Sequence, residues 1–275
     1  MPFVPKKFNM YKKERYEELI DDIIQQSDVV LLLIDARLPE ISRNKRIEQI
    51  LKERGKEFIF VLNKFDLASK RVVAEEKKKL SKIAPVIAVS CKTGFGIDHL
   101  RKMIYHVFDR TEKPRRKVGL LGYPNMGKSS LINRLAKRGG AAKVSKEAGY
   151  TREIRWIRGK RMELVDGPGY VESGEKEEQL KLSIIGAKNP EQLHDPEMVA
   201  YNIIREMINK NKAGIEEAYD VKLLTEDPAD AMALIGKRFG YLKSGGGVEM
   251  HKTSVRIIKD WQQGNLKTAR WEHKK

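Results

Sequence analysis

The sequence predicts an α/β fold, a doubly wound and mostly parallel sheet flanked by helices, followed by a smaller all-α part. Three observations carry this. Continuous aliphatic and β-branched runs recur at 29–35, at 58–62, at 86–89 and just ahead of Gly122, the pattern of strands buried on both faces of a parallel sheet. The segments between them place apolar residues at helical spacing. After about residue 175 the β-branched runs stop and helix-start signals replace them.

Residues 1–16 carry five Lys or Arg against one Glu and read as a basic arm. Tyr16, Leu19, Ile20, Ile23 and Ile24 then give a helix its inner face. Val29–Asp35 is the first buried strand and ends in Asp35-Ala36-Arg37. A charged helix follows, with Ser42 as its expected cap and Ile47, Ile50 and Leu51 facing inward. Phe58–Leu62 is the next strand and ends in Asn63-Lys64-Phe65-Asp66. A lysine-rich helix spans about 69–82, and the strand 86–89 ends in Ser90-Cys91-Lys92. Ile97, Leu100, Ile104 and Val107 mark another helix, and 111–117 is a basic connector with one proline. Past residue 138, a glycine-rich loop (139–151) leads to two short strands joined near Gly159, the second ending in Asp166-Gly167-Pro168-Gly169. In the last hundred residues, Asp195-Pro196 and Asp227-Pro228 each pair an N-cap with proline at the first helical position. Helices are expected near 196–210, 228–239 and 249–263, the last stopped by Gly264.

The chemistry concentrates between residues 117 and 137. Gly122-Tyr123-Pro124-Asn125-Met126-Gly127-Lys128-Ser129-Ser130 satisfies G-x-x-x-x-G-K-[ST] between a strand and an amphipathic helix. Glycines at those positions let successive amides face inward, and with the helix N-terminus they make a concave phosphate site. Lys128 adds a charge for the outer phosphates, and Ser129 offers a hydroxyl to Mg²⁺. Asn63-Lys64-x-Asp66 suits guanine: the Asp66 carboxylate can accept from the N1–H and the exocyclic amine, a donor pair that adenine lacks. That opposes an ATPase reading. Asn63 can hold neighbouring loops, the Lys64 stem can cover the base, and Ser90, Cys91 and Lys92 are expected to complete the pocket through backbone amides. Asp166 is expected in the Mg²⁺ shell, with the Gly169 amide on the γ-phosphate. Thr151, after Gly149-Tyr150, is the candidate second hydroxyl ligand. Five strand ends, DAR, NKFD, SCK, the phosphate loop and DGPG, can therefore meet at one edge of one sheet, where open α/β folds bind ligands.

Two features stand apart. Tyr170 follows DGPG, where glutamine-dependent GTPases carry their glutamine. And NKFD and SCK precede the phosphate loop, the reverse of ordinary small GTPases. In this order, with DAR, the chain resembles the YlqF/YawG branch of circularly permuted GTPases over about residues 15–170. It resembles them more weakly at Gly240–Lys252, where the family has a glycine-rich turn in a helical RNA-contacting domain. The resemblance implies a P-loop NTPase fold, GTP hydrolysis with Mg²⁺, frequent K⁺ stimulation, and a part in assembling the large ribosomal subunit. In potassium-stimulated GTPases an asparagine at the place of Asn125 helps bind K⁺. The catalytic set so implied is Lys128, Asn125 and Thr151. The expected divisions are a basic arm (1–16), a permuted GTPase domain (17–175) and a helical RNA-binding domain (176–275). Because DGPG runs straight into the helical part, Gly169 is expected to set that part's orientation.

Composition narrows the partners. The formal net charge is +17 in 275 residues, a field that favours polyanions such as rRNA or ribosomal particles, or else reflects a lysine-rich, heat-adapted surface. Residues 231–275 hold ten Lys or Arg against three acidic residues, interleaved with Phe239, Tyr241, Trp261 and Trp271. That mixture suits phosphate neutralisation with base stacking, and the aromatics equally suit the core of a small helical domain. Residues 191–230 are acidic, with four basic residues against ten acidic ones. One cysteine excludes an internal disulfide and fits a reducing cytoplasm. No apolar run is long enough for a membrane span, and a monomer is expected. A second functional class stays open, a binding scaffold in which GTP is structural and turnover small.

Overall fold

The computed structural model describes residues 17–108, 116–136, 156–158, 162–167, 180, 182–186 and 189–268. The elements in order are α1 (17–26), β1 (Val29–Asp35), α2 (Pro39–Ser42), α3 (Lys45–Glu53), β2 (Phe58–Asn63), α4 (Lys70–Leu80) and β3 (Val86–Ala88). They continue with α5 (Ile97–Phe108), β4 (Arg116–Leu121), α6 (Lys128–Ala136), β5 (Trp156–Arg158), β6 (Met162–Asp166), α7 (Pro196–Tyr219), α8 (Pro228–Arg238) and α9 (Met250–Gln263). The six strands form one sheet in the order β3-β2-β1-β4-β6-β5. All neighbours are parallel except β5, which pairs antiparallel with β6. β1 is central, and its seven residues are all buried.

The alternation along β1 shows why the runs are continuous. Val29, Leu31 and Leu33 pack with α5 and α6 through Leu100, Ile104, Leu131 and Leu135. Val30, Leu32 and Ile34 pack on the other face against Ile20, Ile23 and Ile24 of α1, Ile47 and Leu51 of α3, and Val73 and Leu80 of α4. With apolar cover on both faces, no position from 29 to 34 can be polar without an unpaired group; Asp35, at the strand's end, is the first that finds partners.

The helical unit has its own core, in which Val199, Ile203, Met207, Ile235, Ile257, Ile258 and Trp261 meet. The two expected caps are made: Asp195 accepts from the Met198 amide and Asp227 from the Ala229 amide. Gly264 ends α9 in the left-handed region at φ 82°. Two local expectations fail. The cap of the charged helix is Asn44, whose side chain accepts from the Ile47 amide. Ser42 is buried instead, its hydroxyl donating to Leu38 O and accepting from the Asp35 amide, because the chain first makes the short α2. And α7 runs on to Tyr219 through a kink at Asn211. There the Asn211 side chain donates to Lys267 O and accepts from the Gly214 amide, which compensates for the interrupted ladder.

Candidate functional site

The ends of β1, β2, β3, β4 and β6 lie along one edge of the sheet, so DAR, NKFD, SCK, the phosphate loop and Asp166 converge there. The phosphate loop leaves β4 through Gly122 at φ 148°, where a Cβ would lie 2.8 Å from Leu33 O of the central strand. Gly127 has φ 88°, and a Cβ there would meet Asn63 Nδ2 at 2.4 Å. Both glycines are thus fixed by close approach as well as by backbone angle. Asn125 sits at φ 59°, a left-handed conformation that asparagine tolerates. Its Nδ2 donates to Gly186 O, in the segment leading to the helical unit. That bond and the loop geometry account for asparagine here without an ion, and K⁺ ligation would use the other amide atom, Oδ1.

Lys128 opens α6 and turns back over the loop, donating to Gly122 O at 3.0 Å and Tyr123 O at 2.9 Å. Burial pushes its ammonium down to about 8, with Asp166 pulling the other way. An arriving polyphosphate supplies the counter-charge that this buried cation lacks. Ser129 Oγ donates to Asp166 Oδ2, so the two expected Mg²⁺ ligands are adjacent. One hydroxyl and one carboxylate fit a hard cation that keeps waters and takes its other oxygens from substrate phosphates. No cluster of three or more His, Cys, Asp or Glu suited to a metal occurs among the described residues, as such a site requires none.

The NKFD motif is knitted to the loop by Asn63. Its Nδ2 donates to Met126 O at 2.8 Å, and its Oδ1 accepts from the Cys91 amide at 3.4 Å. The clasp joins three of the motifs through one buried side chain. Asp66 lies in a 3-10 turn, Phe65–Leu67, where Ser90 Oγ donates to its Oδ1 at 2.6 Å. Ser90 thus meets Asp66 through its side chain, and the Cys91 amide lies against Asn63. Arg134 of α6 fixes the same loop, donating to Cys91 O at 2.6 Å and Lys92 O at 2.7 Å. Sequence reasoning missed it, since an arginine on a helix's last turn has no local signature.

Lys64, at φ 62°, sends its ammonium to Asp35 Oδ2 at 2.8 Å. Asp35 also accepts from Arg37 Nε at 3.0 Å and the second guanidinium nitrogen at 2.8 Å. Burial alone would raise the Asp35 carboxyl, but Arg37 and Lys64 outweigh it and hold the group well below the usual carboxylate range. Arg37 reaches onward: it donates to Trp261 O at 2.6 Å and lies 3.9 Å over the indole. Trp261, read from the sequence as a possible base-stacking residue, is 1% exposed and so closed to RNA. Phe239 and Tyr241 are half-buried and covered by Arg256 and Lys252. Gly149, Thr151, Gly169, Tyr170 and Trp271 lie outside the described residues.

The comparisons agree with this geometry. A family model for the 50S ribosome-binding GTPases matches residues 117–231, and one for the elongation factor Tu GTP-binding domain matches residues 13–110. Two GTPase models thus divide the chain on either side of the 111–117 connector. Ribosome biogenesis GTPase A of Bacillus pumilus is 34% identical over 85% of this chain and 86% of its own length. The chain belongs to the ribosome biogenesis GTPase A family of circularly permuted GTPases. An uncharacterised GTP-binding protein of Methanocaldococcus jannaschii is 35% identical over 96% of this chain and 69% of its own. The GNP-bound YlqF from T. maritima superposes with a TM-score of 0.60 at 21% identity, covering 92% of this chain and 95% of that one, which shows the shared fold.

Cys91 gives a probe of the pocket that NKFD and SCK are expected to form in this GTPase. Burial pushes its thiol up to about 11, more than Arg134 lowers it. Alkylation by iodoacetamide is therefore expected to be slow at pH 7 and to rise about tenfold per pH unit toward pH 10, since the thiolate is the nucleophile. Bound GDP should slow it severalfold further. Mass spectrometry of timed samples reads both effects, and a rate indifferent to GDP would remove Cys91 from the pocket.

Proposed function

We propose that this GTPase acts in assembling the large ribosomal subunit, engaging rRNA or pre-ribosomal particles in one nucleotide state. The supporting observation is the union, in one chain, of a guanine-nucleotide edge in permuted order with a helical unit whose last stretch, 231–275, carries ten Lys or Arg against three acidic residues. The divisions we assign are an arm at 1–16, the GTPase domain at 17–175 and an RNA-binding domain at 176–275. Lys128 and the Met126, Gly127, Ser129 and Ser130 amides receive the phosphates, and Asn63, Lys64, Asp66, Ser90, Cys91 and Lys92 enclose guanine. Ser129, Asp166 and Thr151 hold Mg²⁺, which when bound neutralises charge on the β- and γ-phosphates. Gly149 is assigned to the nucleotide site, and the Gly169 amide to the γ-phosphate. With Tyr170 in place of glutamine, Asn125 is assigned a K⁺ site through Oδ1, stabilising charge as it develops. The exposed Lys237, Lys243 and Lys252 face solvent for RNA phosphates, and Arg238 is exposed beside Asp220. No helix among the described residues is long and apolar enough to cross a membrane; we place the protein in the cytoplasm as a monomer.

The test is co-sedimentation with ribosomal particles in GDP and in a non-hydrolysable GTP analogue, with single-turnover hydrolysis in Na⁺ and K⁺. Particle retention in one nucleotide state only is expected, falling steeply with salt. K⁺ and particles should each accelerate turnover. Retention without nucleotide preference, combined with turnover that neither K⁺ nor particles accelerate, would establish the scaffold reading that Tyr170 favours.

A further inference from the structure

The nucleotide cavity, about 390 Å³, has a wall that the GTPase unit does not supply. Arg37, Lys64, Asn125, Gly127, Lys128, Ser129 and Ser130 line it, together with Ile185, Gly186 and Gln262 from beyond residue 175. Gln262 belongs to the last turn of α9, and three independent ties fix that turn. Trp261, the preceding residue, is clamped by Arg37 through its carbonyl and its ring, and its Nε1 donates to Ile184 O at 2.8 Å. Just past the helix, Thr268 donates its amide to Leu67 O at 2.9 Å, on the turn that carries Asp66. Between these, Gly264 comes so near Leu67 that a Cβ would lie 2.7 Å from its Cδ1. Gly186 fills the gap between Asn125 and Gln262: a Cβ there would lie 3.3 Å from Gln262 Cγ and 3.8 Å from Asn125 Nδ2. A residue on a turn held this firmly, and lining a phosphate cavity, is placed for contact with what the cavity binds.

We propose that Gln262 is a nucleotide-binding residue, supplied by the helical unit, whose carboxamide donates to a phosphate oxygen of the bound guanine nucleotide. The chemistry suits the place. A carboxamide brings two N–H donors and no charge, so it adds a hydrogen bond to a cavity whose cationic demand Lys128 already meets. The consequence is a nucleotide gripped by both units at once. The helical unit then senses the phosphates directly, and not only through the DGPG switch. The inference rests on the cavity being the nucleotide site.

The experiment compares Gln262→Glu, Gln262→Met and Gln263→Glu with the unmodified chain, by titration with fluorescent GDP and a fluorescent non-hydrolysable GTP analogue. Gln263 is the exposed neighbour on the same helix, so its variant carries the same charge change into solvent. Gln262→Glu is expected to weaken both nucleotides about tenfold or more, the triphosphate further than the diphosphate. Gln262→Met, of similar length and without donors, should lose about three- to tenfold, the net size of one ordinary hydrogen bond. Gln263→Glu should stay within about twofold. Equal affinities for the Gln262 variants and the Gln263 control would overturn the proposal. If Gln262→Glu melts early, the Gln262→Met affinity decides alone. Lys128→Ala separates the underlying reading: undiminished binding by that variant would mean that the cavity is not the phosphate site, whatever Gln262 does.

Discussion

Asp66→Asn is expected to cut GDP and GTP affinity at least about 100-fold, while leaving the fold intact. The loss follows from what a carboxamide does to guanine: one of its two atoms becomes a donor facing the base's own donors, so one hydrogen bond becomes a clash of like dipoles in a closed pocket. The fold survives because the carboxamide oxygen can still accept from Ser90 Oγ, now at 2.6 Å from Asp66 Oδ1. The same change should raise affinity for xanthine nucleotides, which present a carbonyl where guanine has its amine. Titration with GDP and xanthosine diphosphate, alongside a melting curve, checks all three parts. Unchanged GDP affinity would mean that the base is not read at Asp66, and the assignment of NKFD would fall with it. ATP should remain a poor competitor in both proteins.

The success of the motif reading and its omissions have one physical cause. A buried strand in a two-sided sheet must be continuously apolar, so β1 and β2 declare themselves, and a phosphate loop must have glycine where the backbone turns or grazes a neighbour. Both are local demands written in adjacent residues. The caps at Asp195 and Asp227 are local too, and both form as expected. Ser42 failed as a cap because a hydroxyl four residues past the strand's last turn could equally serve the DAR loop, and burial decided for the loop. What the sequence could not disclose were partners far apart. Arg37 and Trp261 are separated by 224 residues, and nothing around either residue names the other. DAR was visible as a motif without a role. The role came only when the fold set its arginine against the helical unit. The same distance explains why Trp261 stayed open between base stacking and core: interleaved aromatics and cations signal RNA only when the aromatics reach solvent, and this one is inside.

Asp35→Ala is expected to destabilise the protein by about 3–5 kcal/mol, the largest effect of any single substitution considered, because it leaves the buried Arg37 guanidinium without its carboxylate and facing the partly buried Lys64. Asp35 is 2% exposed and Arg37 1%, so water cannot take over the carboxylate's place. The melting temperature should fall by on the order of 10 °C. Docking of the helical unit should loosen as well, since Arg37 aims at Trp261 only while Asp35 holds its guanidinium. Hydrogen exchange at the end of α9 reads that loosening separately from global stability. A cycle with Arg37→Met isolates the ionic part: if the cost is an orphaned cation, Asp35→Ala combined with Arg37→Met recovers part of the loss, whereas two independent packing defects would add. The pH dependence carries a sign that follows from the depressed carboxyl. Its folded value lies below its unfolded value, so the folded state holds fewer protons as pH falls through the acid range. Its contribution is complete above the unfolded carboxylate value, about 4, and is lost as pH falls below it. Urea midpoints of the unmodified protein and of Asp35→Asn should therefore lie far apart at pH 7 and draw together below pH 4. Curves that stay parallel would show that the carboxylate's charge is not what ties the DAR loop to its two cations.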